Sequence, residues 1–250
     1  MLDHIDIYDL IFVDIETVPG FSSHAQLSDA MKEMWASKYL FFKGENDTSE
    51  EGYLKRAGVF AEFAKIVCIS IGYFKTDKQS NRRTFRIKSF SGDDEKALLS
   101  EFTQLISTAF DSGRYHFCGH NIREFDIPFL CRRMLINGVE LPAMLDISGK
   151  KPWETFDVDT MQLWKFGDFK HYTSLRLLCE IMNIPTPKDA IDGKDVCRVY
   201  WEEQGLDRIV IYCQKDIVAV ARLLLKFKGD TTELSDADVI ITTEPNAAVT

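Results

Sequence analysis

The sequence predicts an α/β domain, a mixed five-stranded sheet flanked by helices with an antiparallel start. Two observations carry that prediction. Short β-branched and aromatic runs come early, and helical periodicity dominates the second half. Between them strand and helix patterns alternate, with no internal repeat and no low-complexity segment. The chain has 250 residues, 45% apolar and 28% charged, enough for one large domain with an ordinary buried core.

The first strand covers residues 10–14, where Ile11, Phe12 and Val13 form an apolar run. Residues 21–65 show no strand pattern. SDAMKEMWASKY (28–39) has helical composition and GENDTSEEG (44–52) has loop composition, so this stretch is predicted as a helical insertion. Trp35, Tyr39, Phe41 and Phe42 within it form either a local core or a face for a protein partner. IVCISIGYF (66–74) and RTFRIKSF (83–90) are predicted strands joined by the turn-like KTDKQSN. DDEKALLSEFTQLISTAF (93–110) is predicted helical: Asp93 or Asp94 caps it, and apolar residues stand at 98, 99, 102, 105, 106 and 109. YHFCGHN (115–121) is the fourth strand, and DIPFLCRRMLIN (126–137) is a helix closed by Gly138. FDVDTMQLW (156–164) is the predicted fifth strand. Helices follow around 172–183, 192–204 and 207–228. The predicted domain is therefore 1–228, and the acidic stretch 229–250, with few anchors, is predicted to be disordered.

Net charge is −9, which argues against a nucleic-acid partner at first sight. Five of the acids and no Lys or Arg lie in 229–250, which leaves −4 on the remainder. Local charge must therefore decide the question. Arg82, Arg83, Arg86 and Lys88, with Arg132 and Arg133, are candidates to follow a phosphate backbone or to form a solvated face. Lys165, Lys170 and His171 are similarly open. The six cysteines form no Cys-x-x-Cys pair and lie mostly among apolar residues, so they are expected to be reduced, buried hydrophobes. The acidic start MLDHIDIYDL does not fit a signal peptide, and no apolar run approaches the roughly 18 residues that span a bilayer. A soluble cytoplasmic protein without membrane contact is expected.

Five residues stand in contexts that an ordinary core does not explain. Asp14 and Glu16 in IFVDIETVPG (11–20) are two apart on a strand and point to one face. Unpaired carboxylates at that spacing repel, and burying them is costly. Either they sit at an exposed strand end or a cation holds them. Asp126, in GHNIREFDIPFL (119–130), sits where a helix begins, bracketed by Phe125, Ile127 and Phe129; it is a candidate helix cap or a candidate ligand. Tyr212 and Asp216, in IVIYCQKDIVAVARLL (209–224), are four apart on an apolar helix and share a face. A hydrogen bond between the two is the plain alternative to a function.

Together these residues resemble the DEDD 3′–5′ exonucleases of the ribonuclease H-like fold. Asp14 and Glu16 match the first motif, Asn121 through Asp126 the second, and Tyr212 with Asp216 the third; Tyr212, where the other subclass has His, marks the tyrosine type. The flanks FVDIET, GHN…FDIPFL and DG…V (Asp192, Gly193, Val196) resemble the proofreading exonuclease domains of family B DNA polymerases, and most of all stand-alone bacterial proteins related to them. The resemblance spans roughly residues 8–228. It implies a ribonuclease H-like sheet and metal-dependent hydrolysis at the 3′ end of single-stranded or frayed DNA. Exoribonuclease activity is the enzymatic alternative, and a non-catalytic nucleic-acid-binding module that retains the fold is the other.

The implied chemistry explains the residue types. Phosphodiester hydrolysis needs a hydroxide and a stabilised leaving oxygen, and two divalent ions supply both. Mg2+ and Mn2+ take oxygen ligands, and four carboxylates provide them. By the resemblance, Asp14 bridges the two ions and Glu16 and Asp216 complete the site of the attacking water. Asp126 holds the second ion and Tyr212 orients the water. Asn121 is implied to contact the terminal nucleotide, and Thr17, His120 and Phe125 are further substrate-binding candidates. Asp192 also fits a helix cap.

Overall fold

The computed structural model describes residues 2–242 apart from 45, 46, 79, 152, 153, 169 and 186–190. A ten-residue strand, β1 (Leu10–Pro19), runs through the middle of a six-stranded sheet. It pairs antiparallel with β2 (Ala64–Thr76), which pairs antiparallel with β3 (Arg83–Ser91). On its other side β1 pairs parallel with β4 (His116–Gly119), and β4 with the two-residue β5 (Val158–Asp159). The last strand, β6 (Val239–Thr242), pairs parallel with β3, so the order is β5-β4-β1-β2-β3-β6.

Alternation along β1 divides the core in two. Ile11, Val13 and Ile15 face one cluster with α3 (Glu95–Ala109) and α4 (Asp126–Asn137). Leu10 and Phe12 face the opposite cluster, which is roofed by α8 (Leu206–Lys228) through Ile217, Val220, Ala221 and Leu224. Gly72 on β2 permits that roof, because a Cβ there would lie 2.4 Å from Phe85 Cζ and 3.2 Å from Ile217 Cδ1. Burying large side chains of this kind contributes about 1.5–3 kcal/mol each. α5 (Thr160–Lys165), α6 (Leu175–Ile181) and α7 (Val196–Trp201) complete the shell.

The insertion is helical, as expected. α1 (Asp29–Tyr39) and α2 (Ser49–Arg56) are capped by Ser28 and Thr48, and they close on a small core of Trp35, Tyr39, Tyr53 and Phe63. Trp35 satisfies its indole N–H on the Ser49 carbonyl at 2.7 Å. Phe41 alone of the four expected aromatics stays out, 89% exposed.

Three expectations are corrected. The sheet has six strands, not five, because the β-branched run at 239–242 adds to the open edge of β3. The stretch expected to be a disordered tail is therefore folded over residues 229–242, anchored by ion pairs of Asp230 with Arg83, Asp236 with Arg222 and Asp238 with Arg82; residues 243–250 lie outside the described part. The fifth strand stops at Asp159, because that carboxylate accepts the N–H groups of Met161 and Gln162 and starts a helix. No helix among the described residues is long and apolar enough to cross a membrane.

A candidate active site across the first strand and the long helix

Asp14 and Glu16 continue the row begun by Leu10 and Phe12, so both point toward α8. Opposite them on β2 stand Ser70 and Cys68, and Ser70 shares a 2.9 Å hydrogen bond with Ser89 on β3. A polar stripe thus crosses three strands of an otherwise apolar face. The N-terminal half of α8 covers it. Gln214 donates to Ser89 at 2.9 Å, and the Cys213 thiol donates to the Asp14 main-chain carbonyl at 3.4 Å. Tyr212 and Asp216 hydrogen-bond through their side chains, one helical turn apart.

Asp126 arrives from the other side. The paired register of β4 with β1 ends at Phe12, and beyond it a side chain rather than a strand meets this edge of β1. Asp126 Oδ1 accepts the Ile15 N–H at 3.1 Å, which brings its carboxylate between Asp14 and Glu16 in sequence position. The side chain does not cap α4. The turn that delivers it begins at Asn121, whose φ of 68° is left-handed, a conformation Asn tolerates. Gly119 lets this turn close, because a Cβ there would meet Ile122 at 2.0 Å and the Val13 carbonyl at 2.8 Å.

The electrostatics are those of acids gathered without a counterion. Burial, then repulsion from Asp126 and Asp216, holds the Asp14 carboxyl well above its ordinary range. Burial and Asp14 do the same to Glu16. Asp126 is pushed up to about 7 by burial, against the opposing pull of the Ile15 N–H. Asp216 is pushed up to about 6 by burial, with its Tyr212 hydrogen bond opposing. Tyr212 is driven upward by burial and by Asp216, so its hydroxyl keeps its proton at any working pH. Asp14 Oδ2 is buried with no hydrogen-bond partner. An orphaned carboxylate oxygen on Asp14, with a Glu16 oxygen within 4.8 Å, fits a divalent cation with hard oxygen ligands.

The other sequence candidates are more constrained. The Thr17 hydroxyl donates to the Gly58 carbonyl at 2.7 Å and ties β1 to the insertion. His120 lies with both ring nitrogens engaged: Nε2 donates to the Thr173 carbonyl and Nδ1 meets the Thr160 hydroxyl, each at 2.9 Å. Phe125 packs on Phe129, with ring centroids 5.3 Å apart. Asn121 has a buried side-chain oxygen without a partner. Arg82 and Arg83 are not free for phosphates, since both clasp the folded C-terminal stretch. Arg133 is engaged inside the fold by Glu95 and the Ala61 carbonyl.

Sequence reasoning missed Asp159. This carboxylate is 2% exposed and accepts the N–H groups of Asn121, Arg123, Met161 and Gln162 at 3.0, 3.1, 2.9 and 3.3 Å. It fixes the Asn121 turn and starts α5 together. Its signal was a cap-type Asp before a helical run, hidden by the apolar residues around it.

Three comparisons with known proteins bear on this geometry. A family described as "predicted 3′–5′ exonuclease related to the exonuclease domain of PolB" matches residues 59–245, about three quarters of the chain. That stretch contains Asp126, Tyr212 and Asp216 but begins after Asp14 and Glu16. It is the fold that adds the first acid pair to the other three residues. Among solved structures, the family B DNA polymerase from the hyperthermophilic archaeon Pyrobaculum calidifontis superposes with a TM-score of 0.51 at 13% identity. The match covers 87% of this chain and 24% of the polymerase chain, and it establishes the ribonuclease H-like architecture. No curated protein matches.

Proposed function

The chain belongs to this family of predicted 3′–5′ exonucleases related to the exonuclease domain of PolB, and on that premise we propose that it hydrolyses single-stranded or frayed DNA from the 3′ end with two divalent cations, Mg2+ or Mn2+. The observation that carries this reading is the β1 pair itself: Asp14 and Glu16 place carboxylate oxygens within 4.8 Å of one another, one Asp14 oxygen is buried without a partner, and Asp126 and Asp216 lie near enough to repel both. A purely structural cluster of that kind would need Lys or Arg to offset it, and none is among the groups that shift Asp14 and Glu16.

Asp14, Glu16, Asp126 and Asp216 are the proposed metal ligands. Bound there, the cations supply acidity to the attacking water and stabilise the departing 3′ oxygen. Tyr212, kept neutral with its O–H donated to Asp216, orients that water by accepting a hydrogen bond from it at the phenolic oxygen rather than acting as a base. Asp126 is fixed by the Ile15 N–H, so its carboxylate is preorganised relative to the β1 pair. Asn121, held in its turn by Asp159, offers its unpartnered side-chain oxygen to the terminal nucleotide. Thr17, His120 and Phe125 serve substrate binding by shaping the walls around that nucleotide, since their own contacts are already inside the protein.

The test is digestion of 5′-labelled DNA and RNA oligonucleotides of one sequence, with Mg2+, Mn2+ or EDTA. A metal-dependent ladder shortening DNA from its 3′ end is the expected result. A ladder on RNA alone would move the activity to RNA, and no ladder on either from folded protein would overturn the reading.

A further inference from the structure

The cation site is not made of oxygen alone. One ligand atom each from Asp14, Glu16 and Cys213 lies within 4.8 Å of the other two, close enough for a single ion to touch all three. We propose that Cys213 is a further ligand of this site and gives it a preference for thiophilic divalent ions, with Cd2+ and Zn2+ binding more tightly than Mg2+. The inference rests on the reading of the carboxylates as cation ligands.

One observation apart from the cysteine points to an ion at this place: Asp14 Oδ2 is buried without a hydrogen-bond partner, beside a Glu16 that is only 7% exposed. The bonds the thiol makes are weak sulfur contacts, to the Asp14 carbonyl at 3.4 Å and to the neighbouring Asp14 and Cys68 side chains, so little is lost when sulfur turns to a metal. Cys68 sits opposite Glu16 and hydrogen-bonds Cys213, so a second sulfur backs the first. Cys131, by contrast, donates to the Leu145 carbonyl away from the acids.

Sulfur changes selectivity by its softness. Mg2+ gains little from a thiolate and holds its waters, whereas Zn2+ and Cd2+ form strong bonds to sulfur. Coordination replaces the S–H bond by a metal–sulfur bond and releases one proton to solvent. A thiophilic ion seated this way would displace the Mg2+ or Mn2+ that hydrolysis requires, so trace zinc would inhibit the chain.

The experiment is titration of the full chain with Cd2+, followed by the ultraviolet thiolate-to-cadmium absorption band. Wild type is expected to develop the band. Cys213→Ser is expected to lose it, with cadmium affinity falling about tenfold or more, while Cys131→Ser keeps it. Absence of the band in wild type, or its survival in Cys213→Ser, overturns the proposal. Should Cys213→Ser fail to fold, cadmium-113 NMR of wild type decides: a shift typical of a sulfur ligand supports it, and an all-oxygen shift overturns it. A chain that shows the band but digests no nucleic acid refutes only the exonuclease reading. A Mg2+-dependent nuclease without the band refutes only this one.

Discussion

Asp14 costs the metal-free fold free energy, because its carboxylate is buried beside Asp126 and Asp216 with one oxygen unbonded. Replacing it should therefore separate function from stability. Asp14→Ala is expected to cut hydrolysis by on the order of 10³-fold or more. It should also stabilise EDTA-treated protein at pH 8 by about 1–2 kcal/mol. Oligonucleotide digestion and urea unfolding check the two arms. Tyr212→Phe removes only the hydroxyl that bonds Asp216. It should lower kcat by about 10–100-fold, the size of one hydrogen bond to a charged group, and leave KM nearly unchanged. A loss confined to KM in steady-state kinetics would contradict the orienting role. These residues were legible in sequence because their spacing is geometric: two apart on a strand, four apart on a helix. Thr17 was not, because its partner Gly58 lies 41 residues away.

At the scale of elements, the turn at Asn121 and the start of α5 hang on one side chain. Asp159→Ala leaves four backbone N–H groups without their acceptor. It should cost about 2–4 kcal/mol in urea unfolding and reduce activity by loosening the turn that carries Asp126. Unchanged stability would show that water replaces the carboxylate. The β5 segment was misread because apolar neighbours masked this cap. β6 was missed for a different reason: four β-branched residues inside an acid-rich stretch make a strand only when a free edge and Arg82, Arg83 and Arg222 receive them. The sequence shows the residues but not the edge. Removing residues 229–250 should re-expose that edge of β3, lower the melting temperature and promote self-association, which light scattering would detect. A monomer of unchanged melting temperature would contradict the role given to β6.

For the whole molecule, the acid cluster makes stability depend on pH in a stated direction. Folded Asp126 and Asp216 titrate near 7 and 6, while unfolded carboxyls titrate near 4. Between those values the folded chain binds more protons than the unfolded chain, so stability falls as pH rises through the window from about 4 to about 7. Asp238, held low by the Ser235 hydroxyl and by Arg82, titrates below that window and does not reverse the trend. In EDTA the melting temperature should therefore be higher at pH 5 than at pH 8, and Mn2+ at pH 8 should restore it. A metal-free chain that melts higher at pH 8 would mean the carboxylates are not buried against one another. The proposed function requires the four acids to form a cation-dependent catalytic centre. The most direct test compares wild type and Asp14→Ala on a 5′-labelled DNA oligonucleotide with Mg2+, both proteins first shown to be folded by their melting curves. The account predicts a ladder shortening from the 3′ end for wild type and intact substrate for the variant. Equal digestion by both would contradict it.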